Sequence, residues 1–325
     1  MQTKITDSYH IDKARARASF GRAAETYDAA AILQKQVREE MLSRLDLVKI
    51  NPHTILDAGC GTGLASHALQ KRFSKSQVIS LDFALPMLQK TRSTGVNTGF
   101  MHQVKSVFGG TKSNLLCADI ESLPLANASV GLLWSNLAIQ WCNDLDAALQ
   151  EFHRVLQPEG LLMFSTFGPD TLKELRAATR TQAGVTSESR FASDSRPVGV
   201  SRFTSVSRFI DMHDIGDALI RAGFSAPVLD VERFTLTYDD VKSVMRDLKS
   251  IGAHNATDGR ARGLLGRGFL QQLEANYEQF RLGSKSAGGK LPATFEVVYG
   301  HAWRGKDKPK FEDGVSPVTF KPRSR

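Results

Sequence analysis

Three carboxylates and three glycines set the chemical question. Asp57 opens "DAGCGTG", in which Gly59, Gly61 and Gly63 recur at every second position. Asp82 closes the apolar run "QVISLD", and Asp119 follows "LLCA". Glycines so spaced either make a tight turn or let a ligand approach the backbone. A dinucleotide fingerprint would place glycine at position 64, where Leu64 stands. An acid ahead of the glycines is awkward for phosphate and suitable for a cation. Asp82 is placed to accept both hydroxyls of a ribose, and Asp119 to accept from an exocyclic amine. Any one of these acids could be an ordinary helix cap. Together they describe an adenosine that carries a positive charge instead of phosphates, which is S-adenosylmethionine.

The elements that must hold these residues alternate. An amphipathic helix over Ala29–Val48 places Ile32, Leu33, Val37, Met41, Leu42 and Leu45 on one stripe, and Asn51-Pro52 ends it. Strands follow at His53–Asp57, Gln77–Asp82, Leu115–Ala118, Val130–Trp134 and Leu161–Phe167. Helices at Leu64–Phe73, Ala84–Arg92 and Asp144–Leu156 separate them, and Pro169 is placed to start another. The alternation predicts an α/β fold, with a doubly wound parallel sheet covered on both faces. The three acids then fall at or beside strand ends, where such sheets bind ligands. The second half is less regular. Helices are predicted over Asp211–Ala222, Asp239–Ile251 and Phe269–Leu282, with strands over Pro227–Thr237 and Pro292–Trp303.

Composition excludes several classes. The net charge of +8, from 42 Lys and Arg against 34 Asp and Glu, is too diffuse to argue for nucleic acid. The first twenty residues lack an apolar signal region, and no apolar run is long enough to span a membrane. Cys60, Cys117 and Cys142 form no CxxC pair, which fits a reducing cytoplasm. The eight histidines show no metal-binding spacing, so no metal is expected.

The glycine motif with Asp82 and Asp119 resembles that of the class I S-adenosylmethionine-dependent methyltransferases, whose sheet is Rossmann-like. The resemblance extends through "SFGRAAETYD", "SNLAIQWCND", "FSTFGPDTLKELR", "DMHDIGDALIRAGF", "GRARGLLG" and "LPATFEVVYGHAW". These blocks are similar to the malonyl-acyl-carrier-protein O-methyltransferases of biotin synthesis. That resemblance implies methyl transfer from S-adenosylmethionine to the free carboxylate of a malonyl thioester, with an acidic carrier protein as partner. It implies a helical lid over residues 1–50 and a methyltransferase domain over 51–303. A helical substrate-side region is expected near 238–285, and the chain departs from the family in a Ser/Arg-rich insertion near 181–209. Residues 304–325 form a basic tail. Glu159 stands where the family's "PGG" turn has glycine. Arginine hydroxylases of complex I assembly share the cofactor motif and form the alternative assignment, as do methyltransferases acting on other small acceptors.

The implied site residues are Asp57, Gly59, Gly61, Gly63, Asp82, Asp119 and Asn136 for the cofactor. Tyr27 in the lid and Trp141 after the fourth strand are candidates at the reacting methyl, and each serves equally well as a packed aromatic. Lys249, Arg260 and Arg262 are candidates for the malonyl group or its carrier, or else solvated surface.

Overall fold

A computed structural model describes residues 10–96, 114–180, 209–253, 256–257 and 267–306. The Ser/Arg-rich insertion and the basic tail lie almost wholly outside these residues, and Arg260 and Arg262 lie outside them entirely.

The N-terminal region forms α1 (Lys13–Ala23), a single turn α2 (Tyr27–Ala30) and α3 (Ile32–Leu45). Then come β1 (Thr54–Ala58), α4 (Leu64–Arg72), β2 (Gln77–Asp82), α5 (Leu85–Val96) and β3 (Asn114–Cys117). β4 (Val130–Asn136) leads through a 3₁₀ turn at Ile139–Trp141 to α6 (Leu145–Val155) and β5 (Leu156–Phe167). The remaining elements are α7 (Lys173–Arg180), α8 (Met212–Arg221), β6 (Phe224–Tyr238), α9 (Val241–Ser250), α10 (Arg267–Tyr277) and β7 (Leu291–Arg304).

The seven strands form one sheet in the order β3-β2-β1-β4-β5-β7-β6. β1 to β5 pair in parallel, as the alternation predicts. β7 runs antiparallel between β5 and β6. The sheet is therefore mixed, and the wholly parallel expectation holds only for its first five strands. β7 lies between two neighbours and is buried along almost all its length. Strand order reverses between β1 and β4, which opens a crevice beyond their carboxyl ends. Two apolar clusters cover the two faces: Leu33, Val37, Met41 and Leu45 of α3 belong to one, and Leu149, Phe152 and Val155 of α6 to the other.

Three local readings are corrected. The helix expected from Ala29 is broken at Ala31 (φ −81°, ψ 48°), so α2 and α3 are separate. α3 buries the four-residue series Leu33, Val37, Met41 and Leu45, which leaves Ile32 58% exposed rather than on the stripe. Pro169 does not start α7. The Gly168 and Leu172 amides donate to the Glu296 and Thr294 carbonyls of β7, and the Asp170 amide donates to the Glu296 carboxylate at 2.7 Å. Leu172 lies in the left-handed region (φ 54°), which interrupts a right-handed helix between Pro169 and Lys173. Glu159 occupies the left-handed region (φ 63°), a conformation that glycine adopts without strain.

Candidate functional site

The chain leaves β1 through the glycine turn. The Gly59 and Cys60 amides both donate to the Leu81 carbonyl of β2 at 2.8 Å, which presses the turn onto the next strand. All three glycines have positive φ, at 82°, 55° and 81°. Their surroundings differ. A Cβ on Gly59 would lie 2.3 Å from the Cβ of Ala138, and one on Gly63 would lie 2.3 Å from Cγ2 of Thr91. A Cβ on Gly61 would meet only the Tyr27 ring, at 3.9 Å. Gly59 and Gly63 are therefore required by the protein's own packing, and Gly61 alone leaves room on the crevice side.

Asp82 ends β2 and is buried. Its two oxygens accept one amide each, from Gly61 at 3.0 Å and Ala84 at 2.8 Å. Burial pushes its carboxyl up to about 6, against the pull of these donors. Asp57 lies deeper, at 1% exposure. Its Oδ2 accepts from Ser66 Oγ at 2.5 Å, and Ser66 Oγ accepts from Ser80 Oγ at 2.7 Å. Its Oδ1 is buried without a hydrogen-bond partner. Burial pushes the Asp57 carboxyl up to about 7, with Ser66 opposing and Asp82 adding to the rise. An acceptor so placed fits a bound cation.

Asp119 follows β3 and lines the crevice, but it is held by Lys13 of α1 at 3.1 Å. Lys13 also pairs with Glu121 at 2.7 Å. Asn136 ends β4 with both ends of its amide engaged: it donates to the Gln34 carbonyl at 3.3 Å and accepts from Ser165 at 2.9 Å. It borders the crevice while tying β4 to β5 and α3.

The outer wall is helical. Phe20 of α1 meets Phe83 and Trp141 edge-on, with ring centroids 5.8 and 5.0 Å away. Tyr27 is half-buried against the glycine turn. Burial raises its phenol well above the usual range, reinforced by Asp82 and Asp28. The start of this wall is pinned by Asn143, which accepts from the Ile11 amide at 2.7 Å and donates to the Ile11 carbonyl at 3.0 Å. Ile11 also forms a β-bridge with Thr257.

The structure thus brings Tyr27, Gly59, Gly61, Asp82, Asp119, Asn136 and Trp141 to one cleft, with Asp57 in the small pocket that continues it behind the turn. Gly63 stands just behind, as the N-terminal cap position of α4. Lys249 does not line the cleft: it is exposed near the end of α9. Among the described residues no group of three or more potential ligands could hold a metal ion. Two cleft residues escape sequence reasoning. Lys13 reads as one of several cations in a basic segment, and Arg38 as the polar face of α3. Their only sequence signal is position, on helices that precede the glycine turn.

The family described as "Methyltransferase domain" matches residues 56–164. A methyltransferase of Bacillus halodurans superposes with a TM-score of 0.53 at 15% identity, covering 83% of this chain and 99% of that one. The YcgJ protein of Bacillus subtilis superposes at 0.51, with the same identity and coverage. The fold is that of the class I methyltransferases. Over 318 residues, 98% of each chain, the sequence is 61% identical to a malonyl-[acyl-carrier protein] O-methyltransferase of Methylovorus sp.. It is 50% identical to the enzyme of that name from Laribacter hongkongensis, over 98% of this chain and 99% of the relative. The chain belongs to the malonyl-[acyl-carrier protein] O-methyltransferase family.

Proposed function

We propose that this protein transfers a methyl group from S-adenosylmethionine to the free carboxylate of a malonyl thioester carried on acyl-carrier protein. The reading rests chiefly on where the identity lies. The general methyltransferase match ends at residue 164, whereas the likeness to malonyl-[acyl-carrier protein] O-methyltransferases continues through the second half of the chain. Under this reading the enzyme makes the malonyl methyl ester used early in biotin synthesis.

The sulfonium supplies an electrophilic methyl group; the protein supplies binding, alignment and the exclusion of water. Asp82 accepts from the ribose hydroxyls. Asp119 offers its remaining lone pairs to the adenine edge, while Lys13, 3.1 Å from both of its oxygens, neutralises its charge. Asp57, with its unpartnered Oδ1, faces the cationic end of the ligand, and Asn136 borders the passage between the two ends. No strong base is needed, because a carboxylate is already ionised at neutral pH. The nucleophile is an anion and the methyl donor a cation, so a dry pocket favours their mutual neutralisation. Phe20, Phe83 and Trp141 supply that apolar wall. The raised phenol of Tyr27 stays protonated across the working range and donates to the malonyl carboxylate. Lys249, with Arg260 and Arg262, draws in the acidic carrier.

The test is mass spectrometry of malonyl-carrier protein after incubation with enzyme and S-adenosylmethionine. A gain of one methyl group, removed by an esterase, is expected; an unmodified carrier, or methylation elsewhere, overturns the reading. Charge reversal at Lys249, Arg260 and Arg262 is expected to raise KM for the carrier substrate several-fold. Malonyl-coenzyme A, which lacks the carrier surface, should be much less affected.

A further inference from the structure

The 3₁₀ turn Ile139–Trp141 borders two cavities. Trp141 lines the cleft already described, whereas its neighbours Gln140 and Cys142 line a second one. The second cavity lies between the end of β5, the start of α7 and the start of α8, and measures about 840 Å³. Sites for sizeable organic ligands span about 300–1,000 Å³. Nothing in the binding of the methyl donor uses this space.

Its lining changes character along the chain. Gln140 is fixed beside the turn: its amide donates to the Leu137 carbonyl at 2.6 Å, and its side-chain oxygen accepts from Thr166 Oγ1, near the end of β5, at 3.3 Å. Phe167 comes next and meets Phe209 edge-on, with ring centroids 5.5 Å apart. Further on, Lys173 and Arg176 stand three residues apart on α7, and so share one helix face. Arg176 donates to the Pro169 carbonyl. Lys173 is exposed and makes no ion pair among the described residues. The acids of the cavity are placed differently. Asp170 pairs with Arg233 at 3.3 Å, Asp211 accepts from the His213 amide as the cap of α8, and Asp214 is exposed on that helix.

Two cations side by side on one helix repel each other, and a bound anion relieves the repulsion. An apolar passage that starts at fixed amide and hydroxyl groups and ends at cations matches one portion of the substrate proposed above. The phosphopantetheine arm of a carrier protein has that order of groups: a thioester, two amides joined by short alkyl chains, then a phosphodiester.

We infer that this cavity receives the phosphopantetheine arm, and that Lys173, with Arg176, binds its phosphate. The inference rests on the malonyl-carrier reading above and adds a path and an anchor to it. Gln140 keeps a second N–H for the amides of the arm, and the thioester is brought to the Trp141 turn. The anchor grips the arm and not the surface of the carrier, so it acts on every malonyl thioester that bears the phosphate.

Three acceptors test this: malonyl-carrier protein, malonyl-4′-phosphopantetheine and malonyl-pantetheine, of which the last lacks the phosphate. Wild type is expected to show a KM about ten-fold higher for malonyl-pantetheine than for malonyl-4′-phosphopantetheine, the scale of two exposed charge contacts. Lys173→Gln should raise KM about three- to five-fold for both phosphate-bearing substrates and leave malonyl-pantetheine unchanged. Ala177→Phe, which narrows the cavity, should raise KM several-fold for all three. Both variants should bind S-adenosylhomocysteine as wild type does in calorimetry. An equal Lys173→Gln effect on all three acceptors overturns the phosphate assignment, because it marks a change of shape and not of charge. An effect confined to the carrier protein overturns it too, and moves Lys173 to the protein-docking surface. Unchanged KM in Lys173→Gln removes the anchor, and unchanged KM in Ala177→Phe places the arm elsewhere. Wild type that methylates none of the three refutes the malonyl reading itself, and the inference with it.

Discussion

The cleft has two walls made in different ways. The sheet wall, formed by the ends of β1, β2 and β4 and the glycine turn, is fixed by backbone: the Leu81 carbonyl accepts two amides, and Asp82 accepts two more. The helical wall, formed by α1, α2 and α3, is held by side chains, among them Lys13 on Asp119 and Asn143 on Ile11. The first wall cannot move without breaking the sheet. In the second, α3 is anchored in the core, whereas α1 and α2 rest on a few polar contacts and two small apolar clusters. The difference suggests that affinity for the nucleoside resides in the sheet wall, and that alignment for reaction resides in the helical one.

The largest effect expected is on the sheet wall. Gly59→Ala forces a Cβ within 2.3 Å of Ala138 at φ 82°, and strain with overpacking should cost about 3–5 kcal/mol in denaturant unfolding. Gly61→Ala, where the Cβ finds space, should cost about 1–2 kcal/mol from its φ alone. Equal destabilisation at the two positions would remove the distinction between a packing glycine and a ligand-facing one.

Next comes Asp82. Asp82→Ala removes two ribose acceptors and should weaken S-adenosylhomocysteine about one-hundred-fold in calorimetry. An unchanged affinity would move the nucleoside off this wall.

The pH dependence follows from carboxyls raised by burial. In the ligand-free protein Asp57 at about 7 and Asp82 at about 6 lie above the ordinary value. Their contribution to stability is present below that ordinary value and is lost as pH rises through 6 and 7. A bound ammonium favours ionised Asp57 and reverses the trend. Affinity for S-adenosylhomocysteine should therefore fall about thirty-fold from pH 8 to pH 5.5, at one proton released per ligand. Flat affinity across this range would show that Asp57 does not face the cation.

The smallest effect belongs to the helical wall. Tyr27→Phe should lower kcat about ten-fold, with little change in S-adenosylhomocysteine affinity. Loss of affinity without loss of turnover would exchange the roles assigned to the two walls.

The sheet wall was the legible one. Short apolar runs ending in acids, and glycines in sequence with them, place Asp57, Asp82 and Asp119 near strand ends from the order of residues alone. The roles of the glycines were not legible, because Ala138 and Thr91 come from distant segments that only the folded sheet brings close. The helical wall was largely hidden. α1 buries only Ala16, Ser19 and Ala23, so it carries no apolar stripe to announce that it covers anything. Arg38 follows the core residue Val37 and reads as surface, since a sequence does not show that a pocket opens beside it. The antiparallel placement of β7 was equally invisible: Glu296 within an apolar strand suggests an exposed side, yet it is buried to accept the Asp170 amide and the Arg233 guanidinium.

The clasp on Ile11 also bears on how the chain assembles during synthesis. Asn143 lies 132 residues downstream of Ile11, and Thr257 follows much later. At ordinary translation speed the N-terminal helices wait roughly 10–50 s for that bridge. A greasy helix left uncovered for so long would invite aggregation. α1, with its polar surface and three small buried residues, is suited to the wait, and its weak amphipathicity becomes a safeguard for the nascent chain. The part of the cleft that is made first is thus the last to be closed.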